Sequence, residues 1–317
     1  MEYHLIAITL AIFIDSMIGD PPTWPHPVKW IGSGISRLEK RLNHGKSRKM
    51  KGIVMVLVIV CVSFFMTAVL VWSFYQLHPL AGIILESILI STTIAHKGLK
   101  DAALEVYRPL EKGNMAEARL KLSYIVGRDT DKLDEAEIVR GTVETVAENT
   151  SDGVTAPLFW GFIGGAPLAI VYRAINTCDS MVGYKNEKYE SFGWASARLD
   201  DVVNWIPSRI TGSLMLFGHR PEHMSRKKAW NILFRDAKKH PSPNSGWLEA
   251  AVASLLGVQL GGVNYYQGII SHRAEMGERV VALKKEHIIK TNKILDRTSL
   301  LFLLVIWLMG GILLAFY

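Results

Sequence analysis

The sequence predicts an all-α integral membrane protein: a polytopic helical bundle with broken or re-entrant helices and with amphipathic helices on the cytoplasmic side. Of its 317 residues, 49% are hydrophobic, and they are concentrated in long blocks. The 36 lysines and arginines outnumber the 29 aspartates and glutamates and lie between those blocks, a distribution typical of membrane proteins. The sequence shows no basic groove interleaved with aromatic residues and no nucleic-acid motif, so nucleic acid is not expected as a partner.

Four apolar blocks predict membrane spans near residues 4–19, 53–75, 79–95 and 299–317. Crossing the hydrocarbon core takes about 20 residues. The block at 53–75 is therefore the clearest span, and the block at 4–19 is short. Because a lipid-facing carboxylate is costly, Asp15 in the first block and Glu86 in the third are expected to face the protein interior.

Three further apolar segments, near 155–175, 202–217 and 246–260, are less uniform and are expected to enter the membrane partly or fully. In the first, the run Gly164-Gly165-Ala166-Pro167 predicts a broken helix, which is tolerated where it lines a protein cavity. The simplest arrangement has the first two segments enter the membrane and return. A full crossing at 155–175 is the alternative, and it would place residues 179–201 outside.

Basic segments determine the expected topology. They lie at 37–51, 97–140, 218–239 and 272–297, and they are expected to share the cytoplasmic side of the inner membrane, with the amino terminus outside. Apolar residues at helical spacing predict a cytoplasmic helical insert at 97–150. Residues 263–297 are again basic and amphipathic. The whole chain, 1–317, is expected to form one membrane-embedded domain.

Two polar clusters flank the apolar segment at 155–175 and predict a binding site. Glu144 and Glu148 are four residues apart and share a helix face, where like charges repel unless a cation lies between them. Magnesium suits such a pair, because it takes one or two carboxylates together with substrate phosphate oxygens. A solvated acidic face is the alternative. The other members of the two clusters are Asn149, Asp152, Asn176, Asp179, Lys185, Asp200 and Asp201.

A proline-rich segment near the amino terminus offers a further candidate ligand. Prolines at positions 21, 22, 25 and 27 exclude a helix interior and favour extended backbone. His26 lies among these prolines, and Asp20 precedes them. A histidine that is held by flanking prolines is a better ligand candidate than a lone surface histidine.

Four blocks of the sequence resemble a known family. They read GDPP-x-x-x-HPV-x-x-IG, ETVAENTSDGVTAPLFW, INTCDSMVGYKNEKYESFGWASARLDDVVNWIPSR, and RDAKKHPSPNSGWLEAA with a later LGG. In this order they resemble the CbiB/CobD family of cobalamin-biosynthesis membrane proteins. Because the resemblance runs over nearly the whole chain, it is far more specific than any short motif.

The resemblance implies an enzyme, adenosylcobinamide-phosphate synthase. Such an enzyme is an ATP-dependent ligase that forms a C–N bond between adenosylcobyric acid and the amine of (R)-1-aminopropan-2-ol or its phosphate. ATP and Mg²⁺ are then the expected cofactors, a corrinoid is the substrate, and the lipid bilayer and other membrane enzymes of cobalamin assembly are candidate partners. No Walker A motif or glycine-rich loop is visible, so another arrangement is expected to hold the nucleotide.

The resemblance also suggests roles for the polar residues. Glu144, Glu148, Asp152 and Asp179 are expected to hold magnesium or to act as acid and base, and Lys185 is expected to contact phosphate oxygens as a further catalytic residue. The residues expected to bind substrate or nucleotide are Asp15, Asp20, His26, Asn149, Asn176, Asp200, Asp201, Arg209, His240 and Asn244.

Two other classes remain open from the sequence. A related group of membrane proteins, linked to β-lactamase induction, shares the architecture and would act in signalling without ligase activity. A transporter is suggested by the broken helices and intramembrane acids, but the chain has too few clean spans for two repeats. ATP consumption that depends on both corrinoid and amine would separate the three classes.

Overall fold

The structure, a computed structural model, describes residues 2–21 and 25–316. Helices dominate it, which confirms the predicted all-α class. Pro22, which the sequence places in extended backbone, and Tyr317, the end of the last predicted span, lie outside the described residues. The helices in chain order are α1 (Glu2–Ile18), α2 (Pro27–Leu42), α3 (Arg48–Leu77), α4 (Pro79–Ser91), α5 (His96–Glu111), α6 (Met115–Ser123), α7 (Glu135–Thr150), α8 (Ala156–Val182), α9 (Trp194–Val203), α10 (Trp205–Gly218), α11 (Arg226–Asp236), α12 (Ser245–Leu256) and α13 (Glu286–Ala315).

The chain divides into two compact units, each assembled from separate stretches of sequence, where the sequence predicted one domain. The first unit comprises Met1–Ala95, Asp152–Asn204 and Leu303–Tyr317. The second comprises His96–Ser151 and Trp205–Phe302. The two predicted polar clusters therefore separate: Glu144, Glu148 and Asn149 belong to the second unit, and the others belong to the first.

The first unit has an apolar core where α2, α3, α8 and α9 meet. Ile35, Met55, Cys178 and Phe192 are buried there. Gly52 on α3 allows the closest approach, because a Cβ at this position would overlap the backbone carbonyl of Phe192. Cys178 is thus a small core residue, as its apolar surroundings favour.

Glu86 lies at the break that the sequence predicts in α8. Gly164 and Gly165 have non-helical backbone angles, which confirms the broken helix. The side chain of Glu86 is buried, and its Oε1 accepts a hydrogen bond from the freed Ala166 amide at 3.0 Å and lies 2.8 Å from His4 Nδ1. Tyr75 donates to its Oε2 at 2.6 Å. The acid predicted to face the interior does so, and it satisfies the backbone of the broken helix.

Four helical stretches among the described residues are long and apolar enough to cross a membrane: Arg48–Leu77, Pro79–Glu111, Glu135–Val182 and Glu286–Ala315. The second is interrupted by a turn at 92–95, and the third contains the π-helical turn Ser151–Thr155 before α8. The first predicted span corresponds to α1, whose 17 residues are about 26 Å long and fall short of the roughly 30 Å hydrocarbon core. Asp15 is buried, as predicted.

Helix α12 is the centre of the second unit. Eleven of its twelve residues are buried, and it packs against α7, α10, α11 and a β-hairpin. Its length of about 18 Å is too short for the full crossing that the sequence allowed near 246–260. Helix α10, with 14 residues, is likewise too short to cross alone. A predominantly apolar helix of 10–14 residues, such as α12, is instead typical of a protein core.

A β-hairpin occupies much of the stretch that the sequence describes as basic and amphipathic. Strand β1 (Gln259–Tyr266) pairs antiparallel with β2 (Ile269–Gly277), with a bulge between Leu260 and Gly262. The sequence did not predict these two strands. Within the segment at 263–297, only the part from Glu286 onward is helical, as the start of α13. Gly261 in the bulge has φ +83°, and a Cβ there would overlap the Ala274 carbonyl oxygen, so glycine is required.

Candidate active site

A polar cavity of about 180 Å³ lies within the second unit. Helix α7 supplies one wall with Glu144, Glu148 and Asn149, so three of the predicted site residues face one space. The remaining lining residues come from α7 itself, from the segment that precedes it, from α12 and from the hairpin. They are Ile125, Val126, Gly127, Arg128, Gly141, Thr145, Glu249, Asn264, Tyr266 and Arg273.

Glu144 is held by two protein donors. Its Oε2 lies 2.9 Å from Arg128 Nη1, and its Oε1 accepts a hydrogen bond from the Gly261 amide at 2.8 Å. Arg128 Nη1 also donates to Asn264 Oδ1 at 2.6 Å. Because Gly261 belongs to the hairpin, Glu144 links α7 to the hairpin. The guanidinium of Arg128, which is largely buried with Glu144, already offsets the charge of this carboxylate.

Glu148 has a different environment, although it lies one turn further along α7. Ser245 at the start of α12 donates to its Oε1 at 2.6 Å. No lysine or arginine lies within ion-pair distance of Glu148 among the described residues. Glu148 is therefore the carboxylate of the pair that remains available for a ligand.

Glu249 lies on the cavity wall and comes from the apolar helix α12. Burial raises the pKa of its carboxyl well above the usual range, and the negative charges of Glu144 and Glu148 raise it further. The protonated form of this carboxyl is therefore favoured, and in that form it would be a hydrogen-bond donor.

Arg273 brings a second guanidinium to the cavity from strand β2. Its Nη2 donates to the hydroxyl of Tyr266 at 3.0 Å, and its Nη1 lies 3.2 Å from His240 Nε2. Burial lowers the pKa of His240, and the nearby charge of Arg273 acts in the same direction. His240, a predicted binding residue, thus lies behind the cavity wall as a neutral partner of Arg273.

Arg140 fastens the hairpin to α7. Its guanidinium donates to the carbonyl oxygens of Gly261 and Val263 and to Asn264 Oδ1. These bonds satisfy the backbone at the bulge, where the strand ladder is interrupted. The hairpin residues that line the cavity are positioned by this attachment.

A second polar group lies in the first unit, around Asp200. Asn176 donates to Asp200 Oδ1 at 3.3 Å, and Asn204 donates to Oδ2 at 3.1 Å. Tyr172 in turn donates to Asn204 Oδ1 at 2.8 Å. Burial raises the pKa of Asp200 to about 7, and the negative charge of Asp179 contributes to the shift. The second predicted cluster is thus brought together by α8 and α9.

Asp201, Lys185 and Asp152 are further members of the predicted clusters in the first unit. Asp201 has a raised pKa because of burial, opposed by the charges of Arg198 and Lys185. Lys185 is exposed beyond the end of α8. Asp152 follows α7, and its carbonyl oxygen lies 3.1 Å from the Tyr172 hydroxyl. Within the described residues, no group of three or more His, Cys, Asp or Glu side chains is arranged to hold a metal ion.

Four predicted binding residues, Asp20, His26, Arg209 and Asn244, have structural partners. His26 caps α2, because its Nδ1 accepts from the Val28 amide, and its Nε2 lies 3.0 Å from Asp20 Oδ1. Arg209 lies against the rings of Trp205 and Trp247, 4.2 and 5.1 Å from their centroids. Asn244 is buried and accepts from Ser208 at 3.3 Å. Binding roles for these residues stay predictions.

The chain is similar to known proteins over nearly its whole length. The family model described as CobD/Cbib protein matches residues 8–295. This chain belongs to the CobD/CbiB family. A CobD/CbiB member from Halalkalibacterium halodurans, "Cobalamin biosynthesis protein CobD", is 57% identical over 309 residues, covering 97% of each chain. The protein of the same name from Clostridium perfringens is 45% identical over 95% of this chain and 96% of its own. "Cobalamin biosynthesis protein CbiB" from Salmonella typhi is 44% identical over 94% and 95%. No solved structure matches this chain.

Several cavity residues of this CobD/CbiB chain were not predicted. Glu249 had a usable signal, since it is a carboxylate inside an apolar helix, as Asp15 and Glu86 are in theirs. Arg128 had none: it stands in an ordinary turn, and its partner Asn264 is 136 positions away. Tyr266 and Arg273 were hidden in a stretch whose strands were not recognised.

Proposed function

We propose that this protein acts in cobalamin biosynthesis as an ATP-dependent ligase. The bond formed would be an amide between a carboxylate of adenosylcobyric acid and the amine of (R)-1-aminopropan-2-ol or its phosphate. Family membership and the names of the relatives support the pathway. The observation that supports enzymatic chemistry is the polar cavity that Glu148, two arginines and Glu249, whose pKa burial raises, line together.

The reaction needs charge neutralisation and a group that takes up a proton. A carboxylate does not accept an amine directly, because its oxygen is a poor leaving group. Transfer of the ATP γ-phosphoryl group to that oxygen would release ADP and provide phosphate as the leaving group. Attack by the amine then expels phosphate, and the nitrogen loses a proton. Arginines suit the phosphoryl charge, and a carboxylate suits the proton.

Glu148 is the best placed carboxylate for these tasks. Glu144 is already engaged by Arg128 and by a backbone amide. Burial raises the pKa of Glu249, which favours its protonated form and makes it a poorer proton acceptor. Glu148 is oriented by Ser245 and has no cationic partner among the described residues. It would accept the amine proton or hold a cation.

We propose that this cavity holds Mg²⁺. Glu148 lines the cavity and would hold the ion, while Glu144 stays paired with Arg128. Mg²⁺ commonly takes one or two carboxylates and completes its shell with phosphate oxygens and water. The ion would neutralise phosphoryl charge. Asp152 and Asp179 belong to the first unit, and their predicted metal role stays a separate prediction.

The test is product formation by the full chain purified in detergent. Adenosylcobyric acid, ATP and Mg²⁺ are supplied with aminopropanol or its phosphate, and the amide product and ADP are measured by mass. Equal amounts of ADP and product support the ligase, and the better amine identifies the donor. If neither amine gave product and the amount of ADP did not depend on the corrinoid, the signalling class would be favoured instead.

Glu148→Gln tests the site within the same assay. We expect a loss of about 100-fold or more in rate, since a positioned acid or base contributes that much. A loss that excess Mg²⁺ restores assigns Glu148 to the cation, and a loss that persists at saturating Mg²⁺ assigns it to the proton. Glu135→Gln, an exposed carboxylate on the same helix, is the matched control and should retain activity. Normal activity of Glu148→Gln would exclude this cavity as the active site.

A further inference from the structure

We propose that a basic groove beside the first turns of α13 binds the headgroup of an anionic phospholipid. The groove has a volume of about 220 Å³ and lies within the second unit. The loop that follows α10, the end of α12 and the first turns of α13 supply its walls. It shares no lining residue with the candidate active site, so it is a separate feature of this unit.

Cations that solvent can reach dominate the walls of the groove. Arg220, Lys290 and Lys293 line it, together with the carboxylate of Glu222. Glu222 Oε2 lies 2.5 Å from Lys290 Nζ, so Lys290 has a partner. Arg220 and Lys293 are exposed, and neither forms an ion pair among the described residues. An anion that enters the groove therefore meets two accessible cations whose charge the chain does not offset.

A further cation lies on the same face of α13. Lys290, Lys293 and Arg297 are separated by three and four residues, which places them on one side of a helix. Burial lowers the pKa of His219, a lining residue, and the charge of Arg297 acts in the same direction. Arg297 is therefore near the groove, and because it is exposed it adds to the positive potential there.

Apolar side chains accompany these cations. Leu255 and Leu256 from the end of α12 and Ile294 from α13 also line the groove. Leu300, seven residues after Lys293 and so on the same helix face, is 58% exposed. A phospholipid presents the same succession of chemistry, a charged phosphate followed by glycerol and acyl chains. A soluble phosphate would use only the cations, and this difference favours a lipid as the occupant.

The position of the groove along α13 matches the headgroup layer of a bilayer. Helix α13 is long and apolar enough to cross a membrane, and Arg297 is its last charged residue. At 1.5 Å per residue, Lys293 lies about 6 Å beyond Arg297 along the helix axis. The headgroup region of one leaflet is roughly 5–8 Å thick. Basic pockets beside membrane helices at this depth are suited to lipid headgroups.

The loop that carries Arg220 is fixed before any lipid binds. The amide of Glu222 donates to the carbonyl oxygen of Leu255 at 2.9 Å, which attaches the loop to the end of α12. Gly218 lets the end of α10 approach α13, because a Cβ at this position would overlap Leu301 Cδ1. Little ordering of the backbone is then needed for binding.

Native mass spectrometry of the full chain in detergent tests the site. Phosphatidylglycerol and phosphatidylcholine of equal chain length are titrated separately, and dissociation constants are taken from the lipid-bound peaks. We expect the first phosphatidylglycerol to bind about fivefold or more tightly than phosphatidylcholine. One basic residue near an anionic lipid contributes a factor of about five in affinity, so Lys293→Gln and Arg220→Gln should each weaken phosphatidylglycerol by that factor and leave phosphatidylcholine unchanged. No corrinoid or nucleotide enters this assay, so its result is independent of the ligase activity.

Glu222→Gln is expected to act in the opposite direction. It removes the carboxylate that offsets Lys290, so phosphatidylglycerol should bind more tightly, a result that misfolding would not produce. Lys132→Gln, on an exposed lysine before α7, is the matched control and should bind as the wild type does. Equal affinity of the wild type for the two lipids, or unchanged phosphatidylglycerol affinity in both Lys293→Gln and Arg220→Gln, would overturn the proposal. Displacement of phosphatidylglycerol by an equal concentration of inorganic phosphate would overturn it too, because the occupant would then be a soluble anion.

Discussion

At the scale of single residues, the partner of a charge decides its role. Glu144 and Glu148 share a helix face, and their repulsion predicted a cation between them. The structure supplies a cation to Glu144 alone, in the form of Arg128. Glu148, which looks the same in the sequence, has no cationic partner among the described residues. Position on a helix is readable from spacing, but the partner comes from a distant part of the chain.

Asp200 supports a prediction about pH. Its pKa is about 7 in the folded protein and near 3.8 when it is not buried, so folding favours the protonated form. This contribution to stability is present below about pH 3.8 and is lost as the pH rises through about 7. Asp200→Asn should lack this loss and be more stable than the wild type at pH 8. Thermal unfolding in detergent between pH 4 and pH 8 measures the difference.

The control for Asp200 is Asp131→Asn, which removes an exposed carboxylate from the second unit. Its melting temperatures should follow those of the wild type at every pH. If the melting temperature of Asp200→Asn changed with pH in the same way as that of the wild type, folding would not raise the pKa of Asp200.

At the scale of elements, two irregularities shape the units. The break in α8 frees the Ala166 amide, and Glu86 satisfies it. The bulge in β1 leaves backbone carbonyls that Arg140 satisfies. In each case a buried charged side chain replaces the regular hydrogen bonds of a helix or a sheet. Such a residue is retained for structure, although in the sequence it resembles a functional acid or base.

Gly165→Ala tests the break in α8. Gly165 has φ +63°, and a Cβ there would overlap the carboxylate of Glu86. We expect a loss of roughly 1–3 kcal/mol in the free energy of unfolding, since both backbone strain and the Glu86 contact are affected. Gly311→Ala is the control, because a Cβ at that position meets nothing within 4 Å. Equal stability of the two variants would show that the break does not need glycine.

At the scale of the whole molecule, the chain combines long apolar helices with a polar unit. The second unit contains three of the four basic segments, at 97–140, 218–239 and 272–297. The positive-inside rule favours the cytoplasm for such segments, where ATP is available. We therefore propose that the cavity faces the cytoplasm and that the protein resides in the cytoplasmic membrane.

Cysteine labelling tests this orientation. In a Cys61→Ser background, Lys132→Cys introduces an exposed thiol in the second unit, and Cys178 is buried. A membrane-impermeant maleimide should label this thiol in inverted vesicles and not in intact cells. Gln76→Cys, at an exposed position in the last turn of α3, is the reciprocal control and should be labelled from outside. Labelling of Lys132→Cys in intact cells would reverse the topology.

The sequence by itself determined the membrane character, the break at Gly164-Gly165 and the interior position of Asp15 and Glu86. Each follows from local composition, because a long apolar run, a glycine pair or a carboxylate in such a run has few physical solutions. The resemblance to the family is also readable from the sequence alone, because the motifs that carry it are continuous stretches of chain.

Only the tertiary structure decided which residues form the cavity. Arg128, Glu249 and Arg273 come from a turn, a core helix and a strand that are far apart in the chain, and no spacing rule connects them. It also separated Glu148 from Asp152, four positions apart, into different units. The physical reason is that pairing, burial and the resulting pKa depend on neighbours in space, and folding chooses those neighbours through the packing of the whole chain.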